Sequence, residues 1–228
     1  ESGYLGLEKS PIATVSSDDI AFIQFSSGST SNPKGVTLTH RNVLSNVNSL
    51  CNNSQFHAHE EMVSWMPLTH DMGMIGSLIC MTIFNYNTHI ISTELFSRRP
   101  LLWLDVCSRK KATITMSPNF GYKHVLKYVD DAKLEGMDFS SIRRVYNGAE
   151  PIAIELCMEF MAKMKPYGLN PNSMLMVYGL AEATLSVTMA EIMKPFRHVS
   201  VKRSSLKLED KIEFVESSED NGLAFPSV

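Results

Sequence analysis

The fold is decided by two strand-then-helix stretches, TITMSPNFGYKHVLKYV (residues 113–129) and RRVYNGAEPIAIELCMEFMAKM (residues 143–164). Each begins with a short run of β-branched or aromatic residues and continues with apolar residues at helical spacing. Pro151 marks the start of the second helix, since proline is favoured in a first helical turn. This alternation predicts an α/β fold, a layered α/β/α arrangement around a largely parallel sheet.

The same alternation extends outward in both directions along the chain. Further strands are predicted at residues 20–26, 36–39, 62–66, 88–92, 173–177 and 185–190. Further helices are predicted at residues 41–53, 72–84 and 99–110. After Lys194 the sequence becomes rich in charge and serine, with a helical turn indicated at 204–208. We therefore expect a core segment at 1–194 and a charged edge or insertion segment at 195–228.

The composition narrows the class of protein. Of 228 residues, 44% are apolar and 20% are charged, as in ordinary globular proteins. A net charge of −3 with mixed signs gives no footprint for nucleic acid or for an anionic membrane, so small molecules are the expected partners. No run of 18 apolar residues is present in the sequence, which predicts no transmembrane segment.

The four cysteines and the chain ends carry two further expectations. Cys51, Cys80, Cys107 and Cys157 show no C-x-x-C spacing, so we expect reduced thiols in a cytoplasmic protein instead of a zinc knuckle or a disulfide framework. The chain begins at Glu1 without a methionine or a signal peptide, and we expect it to be an excised segment of a longer protein.

The stretch FSSGSTSNPKGV, residues 25–36, has the residue types of a phosphate-binding loop. Small residues let backbone N–H groups face an anion, hydroxyls add donors, and Lys34 adds a positive charge. It is not a Walker A loop, because Pro33 and Gly35 stand where that motif needs glycine and a hydroxyl residue. The alternative interpretation is a surface turn rich in serine and glycine.

Three more motifs follow in order: SWMPLTHDMG (64–73), YNGAEP (146–151) and VYGLAEAT (177–184). In the last, Tyr178 offers an aromatic face on which a purine can stack, and Glu182 offers the carboxylate oxygen that a hard cation prefers. The first two motifs have purely structural alternatives, a loop histidine at His70 and a helix start at Glu150 and Pro151.

Together the four motifs resemble the adenylate-forming superfamily, which includes acyl-CoA synthetases, luciferases and adenylation domains of nonribosomal peptide synthetases. From Asp19 to Ala190 the sequence is most similar to the fatty acyl-AMP ligases, and the segment after Lys194 falls where that branch carries an insertion. The resemblance implies part of the large N-terminal domain of such an enzyme. It implies ATP-dependent activation of a fatty acid to an acyl-adenylate, release of pyrophosphate, and transfer to an acyl carrier protein.

The resemblance also implies roles for individual residues. The ATP phosphates would be held by Ser27, Gly28, Ser29, Thr30 and Lys34, and adenine by Asn147, Gly148, Ala149, Glu150, Tyr178 and Gly179. Glu182 and Thr30 would bind Mg²⁺, and Lys34, Thr30 and Glu182 would be the catalytic residues. The acyl pocket would be formed by His70, Asp71, Met72, Ile75, Met116 and Phe120, for whose apolar members plain core packing is the alternative.

Other functions in the same superfamily stay open from the sequence. The chain could belong to an acyl-CoA ligase, to an amino-acid adenylation domain, or to a non-catalytic relative that only binds nucleotide. The superfamily also uses a ribose-binding aspartate and a lysine of a C-terminal domain, and neither can be assigned in this sequence. We therefore expect the isolated chain to bind nucleotide weakly and to turn over little or not at all.

Overall fold

The structure is a computed structural model that describes residues 13–26, 34–207, 211–216 and 222–227. Its centre is a sheet of six strands in the order β4-β3-β5-β6-β7-β8. The strands are β3 (Glu61–Ser64), β4 (Asn87–Ile90), β5 (Ile114–Ser117), β6 (Arg144–Asn147), β7 (Met174–Gly179) and β8 (Ser186–Met189). The first five in this order are parallel, and only β8 runs antiparallel to its neighbour β7. The predicted α/β class with a largely parallel sheet is confirmed.

Helices connect these strands. They are α1 (His40–Asn53), a π-helix (Met72–Ile79) that continues into α2 (Cys80–Ile83), α3 (Thr93–Arg98), α4 (Leu101–Arg109), α5 (Asn119–Tyr128), α6 (Asp131–Leu134) and α7 (Ile154–Met164). Short 3₁₀ turns occupy Lys165–Tyr167, Ala181–Ala183 and Arg203–Ser205. Among the helices of the described residues, none has both the length and the apolar character of a membrane span.

Two helical segments differ from the prediction in detail. The helix predicted at 99–110 is α4, but the short helix α3, which ends at Arg98, was not predicted. Proline has no N–H to donate and disfavours helical backbone in the residue before it, so Pro100 keeps α3 and α4 separate at Arg99. The helix predicted at 72–84 begins with π-type hydrogen bonds, such as that from the Cys80 N–H to the Ile75 carbonyl.

Two smaller sheets lie outside the central one. Strands β1 (Ile20–Ser26) and β2 (Lys34–Thr39) form an antiparallel pair in which Ser26 faces Lys34. Strand β9 (Arg197–Lys202) pairs antiparallel with β10 (Phe214–Val215) and with β11 (Gly222–Ser227). The sequence did not predict these last three strands. Where a helical turn was predicted at 204–208, the described residues up to 207 contain the 3₁₀ turn at 203–205. The boundary near residue 194 stays a prediction.

The core between the sheet and the helices is rich in aromatic and sulfur-containing side chains. The Trp65 ring stacks on Phe96 with ring centroids 3.9 Å apart. The Trp103 Nε1–H donates to Thr115 Oγ1 at 2.7 Å, which satisfies the polar end of a buried indole. All four cysteines are buried and free, with Cys51 Sγ and Cys80 Sγ 3.5 Å apart.

A buried ion pair fixes the start of β6. The Glu60 and Arg144 side chains are 0% and 1% exposed, and Arg144 Nη1 lies 3.2 Å from Glu60 Oε1. Burial alone would raise the pKa of the Glu60 carboxyl, but hydrogen bonds from the His57 N–H and the Thr113 hydroxyl, with the charges of Arg144 and Arg143, hold that pKa below its ordinary value. The stabilisation is present above the unfolded-state pKa and is lost as the pH falls through the folded-state pKa.

Replacing Glu60 by Gln should destabilise the folded protein by about 3–5 kcal/mol, because it leaves the buried Arg144 guanidinium without a counter-charge. Urea unfolding of the full-length variant at neutral pH measures this loss. The matched control is Glu94→Gln, which removes a carboxylate paired with Arg98 on the surface, where both side chains are about three-quarters exposed. The control should unfold like the unchanged protein, and equal midpoints for the two variants would contradict the role given to Glu60.

Gly73 allows the π-helix to pack directly on the segment that precedes it. A Cβ atom at Gly73 would lie 2.2 Å from the Pro67 carbonyl oxygen, whereas one at Gly76 would meet nothing closer than 3.4 Å. We therefore expect Gly73→Ala to destabilise the full-length protein by about 1–3 kcal/mol through overpacking against rigid backbone. Gly76→Ala is the matched control and should leave the thermal unfolding midpoint unchanged or slightly higher. A Gly73→Ala variant as stable as Gly76→Ala would show that the close approach is not required.

Candidate functional site

The carboxyl ends of three neighbouring parallel strands bring two of the sequence motifs together. In the strand register Ser117 of β5 faces Asn147 of β6, and Asn147 faces Met176 of β7. The loop that follows β6 therefore lies beside the last residues of β7, Tyr178 and Gly179. In open α/β sheets, ligands bind at this edge of the strands.

The loop after β6 is held in place by Asn119, the first residue of α5. Its Oδ1 accepts hydrogen bonds from Asn147 Nδ2 at 3.0 Å and from the Ala153 N–H at 3.2 Å. Its Nδ2 donates to the Pro151 carbonyl oxygen at 2.7 Å. Sequence reasoning did not assign this role to Asn119, whose position directly after a strand end and a proline was the only available signal.

The chain reverses direction at the end of β7. A Cβ atom at Gly179 would lie 1.9 Å from the Leu185 carbonyl oxygen, so only glycine fits where β8 returns along β7. The Tyr178 ring next to it is 56% exposed, and Glu182 in the following 3₁₀ turn is also exposed. Within the part of the chain that the structure describes, the Glu182 carboxylate has no hydrogen bond or ion pair.

A cavity of about 140 Å³ opens at this edge of the sheet. It joins His70, Asp71, Met72 and Met116 of the predicted acyl pocket with Ala149, Tyr178 and Gly179 of the predicted adenine site. Leu50 of α1 and Leu185 also line it, and sequence reasoning missed both. Residues from motifs more than a hundred positions apart thus meet in one concave site.

Other predicted residues lie elsewhere. Ile75 is fully buried in the core. The residues of the π-helix that line the cavity are Met72 and Gly76. Phe120, in the first turn of α5, is 54% exposed and lines a separate surface groove, with its ring edge-on to Trp65 at 5.2 Å. Neither side chain lines the cavity, and the places of Ile75 and Phe120 in an acyl pocket stay predictions.

The other residues predicted to contact adenine lie at the end of β6 or in the loop after it, and only Lys34 of the predicted phosphate-binding residues lies within the described part of the chain. Asn147 is buried, whereas Glu150 is exposed and its Oε1 accepts from the Phe120 N–H at 3.2 Å. Gly148 is buried between them. Lys34 is exposed at the start of β2. Ser27, Gly28, Ser29 and Thr30 lie outside the described residues.

His70 and Asp71 form a polar pair at the cavity wall. The His70 Nδ1 lies 2.8 Å from Asp71 Oδ1, which also accepts from the Met72 N–H at 2.6 Å and so caps the π-helix. The hydrogen bond that the His70 imidazole donates to the Asp71 carboxylate raises the pKa of His70, and the Asp71 charge adds to this against the opposing effect of burial. The imidazole therefore holds a proton to higher pH than an ordinary histidine does.

The metal-binding capacity of the site rests on few groups. Across the described ranges, no cluster of three or more His, Cys, Asp or Glu side chains could hold a metal ion by itself. A single accessible carboxylate such as Glu182 fits Mg²⁺, which typically binds one or two carboxylates together with substrate phosphates and water.

Known proteins match this chain over most of its length. Residues 3–211 match the family described as AMP-binding enzyme. A putative acyl-CoA synthetase of Caulobacter vibrioides is 36% identical over 187 residues, which cover 82% of this chain and 33% of that protein. JamA of Moorena producens, a medium-chain-fatty-acid–acyl-carrier-protein ligase, is 36% identical over 174 residues, which cover 76% of this chain and 29% of that protein.

The solved structures agree with the sequence relatives. A fatty acyl-adenylate ligase from Legionella pneumophila, in complex with acyl adenylate and pyrophosphate, superposes with a TM-score of 0.88 at 34% identity. The match covers 94% of this chain and 38% of that protein, so the chain spans about a third of the length of these relatives. The fold is that of the N-terminal domain of adenylate-forming enzymes, and the chain belongs to the AMP-binding enzyme family.

Proposed function

We propose that the protein containing this chain activates a fatty-acid carboxylate with ATP, giving an acyl-adenylate and pyrophosphate. The observation that carries the proposal is the cavity in which the His70 segment meets Tyr178 and Gly179 at the carboxyl edge of the sheet. The acyl-adenylate contains both an acyl chain and adenine, so its site needs one surface for the acyl chain next to one for adenine. The Legionella neighbour, whose structure holds acyl adenylate and pyrophosphate, supports this proposal.

For the nucleotide, the exposed Tyr178 ring would stack on adenine and the loop from Asn147 to Glu150 would form the wall of its site. Lys34 would contact the β- and γ-phosphates, together with the predicted residues from Ser27 to Thr30. Glu182 and Thr30 would hold Mg²⁺, which when bound neutralises charge on the phosphates. The accessible Glu182 carboxylate is the described group that fits this ion.

In the reaction, a carboxylate oxygen of the fatty acid attacks the α-phosphorus of ATP. The bond from the α-phosphorus to the oxygen that bridges it to the β-phosphorus breaks, and pyrophosphate leaves with that oxygen. No side chain has to act as a nucleophile, so the protein contributes by orienting the two substrates and stabilising negative charge. In its protonated form, which Asp71 favours, His70 would attract the substrate carboxylate to the polar end of the cavity.

We further propose that the substrate is a medium-chain fatty acid and that an acyl carrier protein accepts the acyl group. The name of the Moorena relative supports both points. The Caulobacter relative, described as a putative acyl-CoA synthetase, favours coenzyme A as a second candidate acceptor. Met72 and Met116 line the cavity, and their flexible side chains would adapt to an alkyl chain. A cytoplasmic location stays a prediction from the cysteine content.

The direct test is ATP–pyrophosphate exchange by the full-length protein with a medium-chain fatty acid. We expect exchange that depends on the acid, and we expect Tyr178→Ala to raise the KM for ATP by about 5- to 100-fold through lost stacking. Tyr128→Ala is the matched control, because Tyr128 is a partly exposed tyrosine that does not line the cavity. Absence of exchange with fatty acids of every length would overturn the proposal. Adding holo-acyl carrier protein or coenzyme A then identifies the acceptor.

The His70–Asp71 pair predicts a pH dependence. If a protonated imidazole attracts the substrate carboxylate, the KM for the fatty acid should rise as the pH increases through the raised pKa of His70. Asp71→Asn removes the charge that raises this pKa but keeps an oxygen to cap the π-helix, so the rise in KM should move to lower pH. Glu61→Gln, which removes the partner of His89, is the control and should leave the profile in place. An unshifted profile in Asp71→Asn would refute this role of the pair.

A further inference from the structure

The turn that carries Glu182 has a strained backbone. Thr184, immediately after the 3₁₀ turn Ala181–Ala183, has φ of 74° and ψ of −62°, and the Leu185 N–H donates to the Ala183 carbonyl oxygen at 3.0 Å. This is a γ-turn of the rare, strained kind, and it is centred on a β-branched residue that seldom adopts positive φ. Such a conformation persists only when its surroundings enforce it.

Asn46 of α1 supplies that enforcement from a distant part of the chain. Its Nδ2 donates to the Ala183 carbonyl oxygen at 3.2 Å and to the Ser186 carbonyl oxygen at 2.8 Å. Its Oδ1 accepts from the Ser186 N–H at 3.0 Å. The carboxamide therefore contacts the backbone on both sides of Thr184, and both its donor nitrogen and its acceptor oxygen are used.

The helix that carries Asn46 is itself well anchored. Thr39, the last residue of β2, caps α1: the Asn42 N–H donates to Thr39 Oγ1 at 3.2 Å and the Thr39 N–H donates to Asn42 Oδ1 at 3.0 Å. Val43 and Val47, on either side of Asn46, are buried in the core. The strand that starts at Lys34 thus runs directly into the helix whose Asn46 holds the Glu182 turn.

We infer that Asn46 is a positioning residue that holds Glu182 in place relative to Lys34 for a magnesium–polyphosphate ligand. The inference rests on the proposed function, in which Lys34 contacts the phosphates and Glu182 contacts the cation. Asn46 touches neither ligand. It acts through the backbone from Ala183 to Ser186, and without it the γ-turn at Thr184 relaxes and Glu182 moves away from its working position.

The first test needs no ligand and no activity. It compares hydrogen–deuterium exchange in the full-length, nucleotide-free protein with and without Asn46→Ala. Peptides that cover residues 180–187 should exchange on the order of tenfold faster in the variant. Asn48→Ala changes an exposed asparagine of the same helix and should leave these peptides unchanged. Unaltered exchange in Asn46→Ala would overturn the inference whether or not the proposed reaction exists.

The second test asks whether Asn46 acts through Glu182. In ATP–pyrophosphate exchange, Asn46→Ala should raise the Mg²⁺ concentration required for half-maximal rate and lower kcat by about 10- to 100-fold, with the KM for fatty acid unchanged. In a Glu182→Gln background the same substitution should have little further effect, because the residue it positions is already disabled. Additive losses in the double variant would overturn the inference. No exchange in the unchanged protein would instead refute the proposed function.

A second variant keeps both tests decisive if Asn46→Ala unfolds. Asn46→Asp preserves the oxygen that accepts from the Ser186 N–H but loses both donated hydrogen bonds. Hydrogen–deuterium exchange at residues 180–187 and the Mg²⁺ requirement should both rise in this variant, as in Asn46→Ala, because a carboxylate oxygen cannot donate to either carbonyl oxygen. An Asn46→Asp variant that is folded and matches the unchanged protein in both readouts would contradict the positioning role.

Discussion

The parallel pairing of β5, β6 and β7 is the constraint on which the rest of the site depends. Because parallel strands end at the same edge, the register that sets Ser117 beside Asn147 and Asn147 beside Met176 also fixes where the two following loops emerge. The register thus makes the loop after β6 and the Tyr178–Gly179 end of β7 neighbours. A slip of the register would separate the two walls of the cavity.

Opposite ends of β6 perform different tasks. Arg144 begins the strand and is tied to Glu60 in a buried ion pair, with its Nε also donating to the Ser54 carbonyl oxygen at 2.6 Å. Asn147 ends the strand and is tied to Asn119. The ion pair thus fixes the start of β6, and the Asn119 contact fixes the end from which the loop at the cavity emerges. Functional loops are commonly positioned by a rigid scaffold in this way. Two asparagines of different helices, Asn119 and Asn46, then secure the loops themselves.

Local patterns predicted most of the central architecture, because strands and helices of an α/β fold follow apolar periodicity that is visible in the sequence. The π-helix at Met72–Ile79 depends on backbone hydrogen bonds that periodicity does not report, and α3, with six residues, is too short to show a helical period. Resemblance to a family identified residues that do line the cavity, such as His70 and Tyr178, yet it could not separate Met72 from Ile75. Asn46 and Asn119 were missed since their importance lies in contacts with residues distant in the chain.

If the proposed function is correct, one cavity at the carboxyl edge of the sheet holds both the acyl group and the adenine of an acyl-adenylate. A crystal structure of the full-length protein with a non-hydrolysable acyl-adenylate, in which a sulfamoyl group replaces the phosphate, measures this directly. We expect adenine against the Tyr178 ring and the Asn147–Glu150 loop, with the acyl carbonyl facing the His70 segment. Adenine bound away from Tyr178, or an acyl chain in the groove beside Phe120 and not in the cavity, would contradict it.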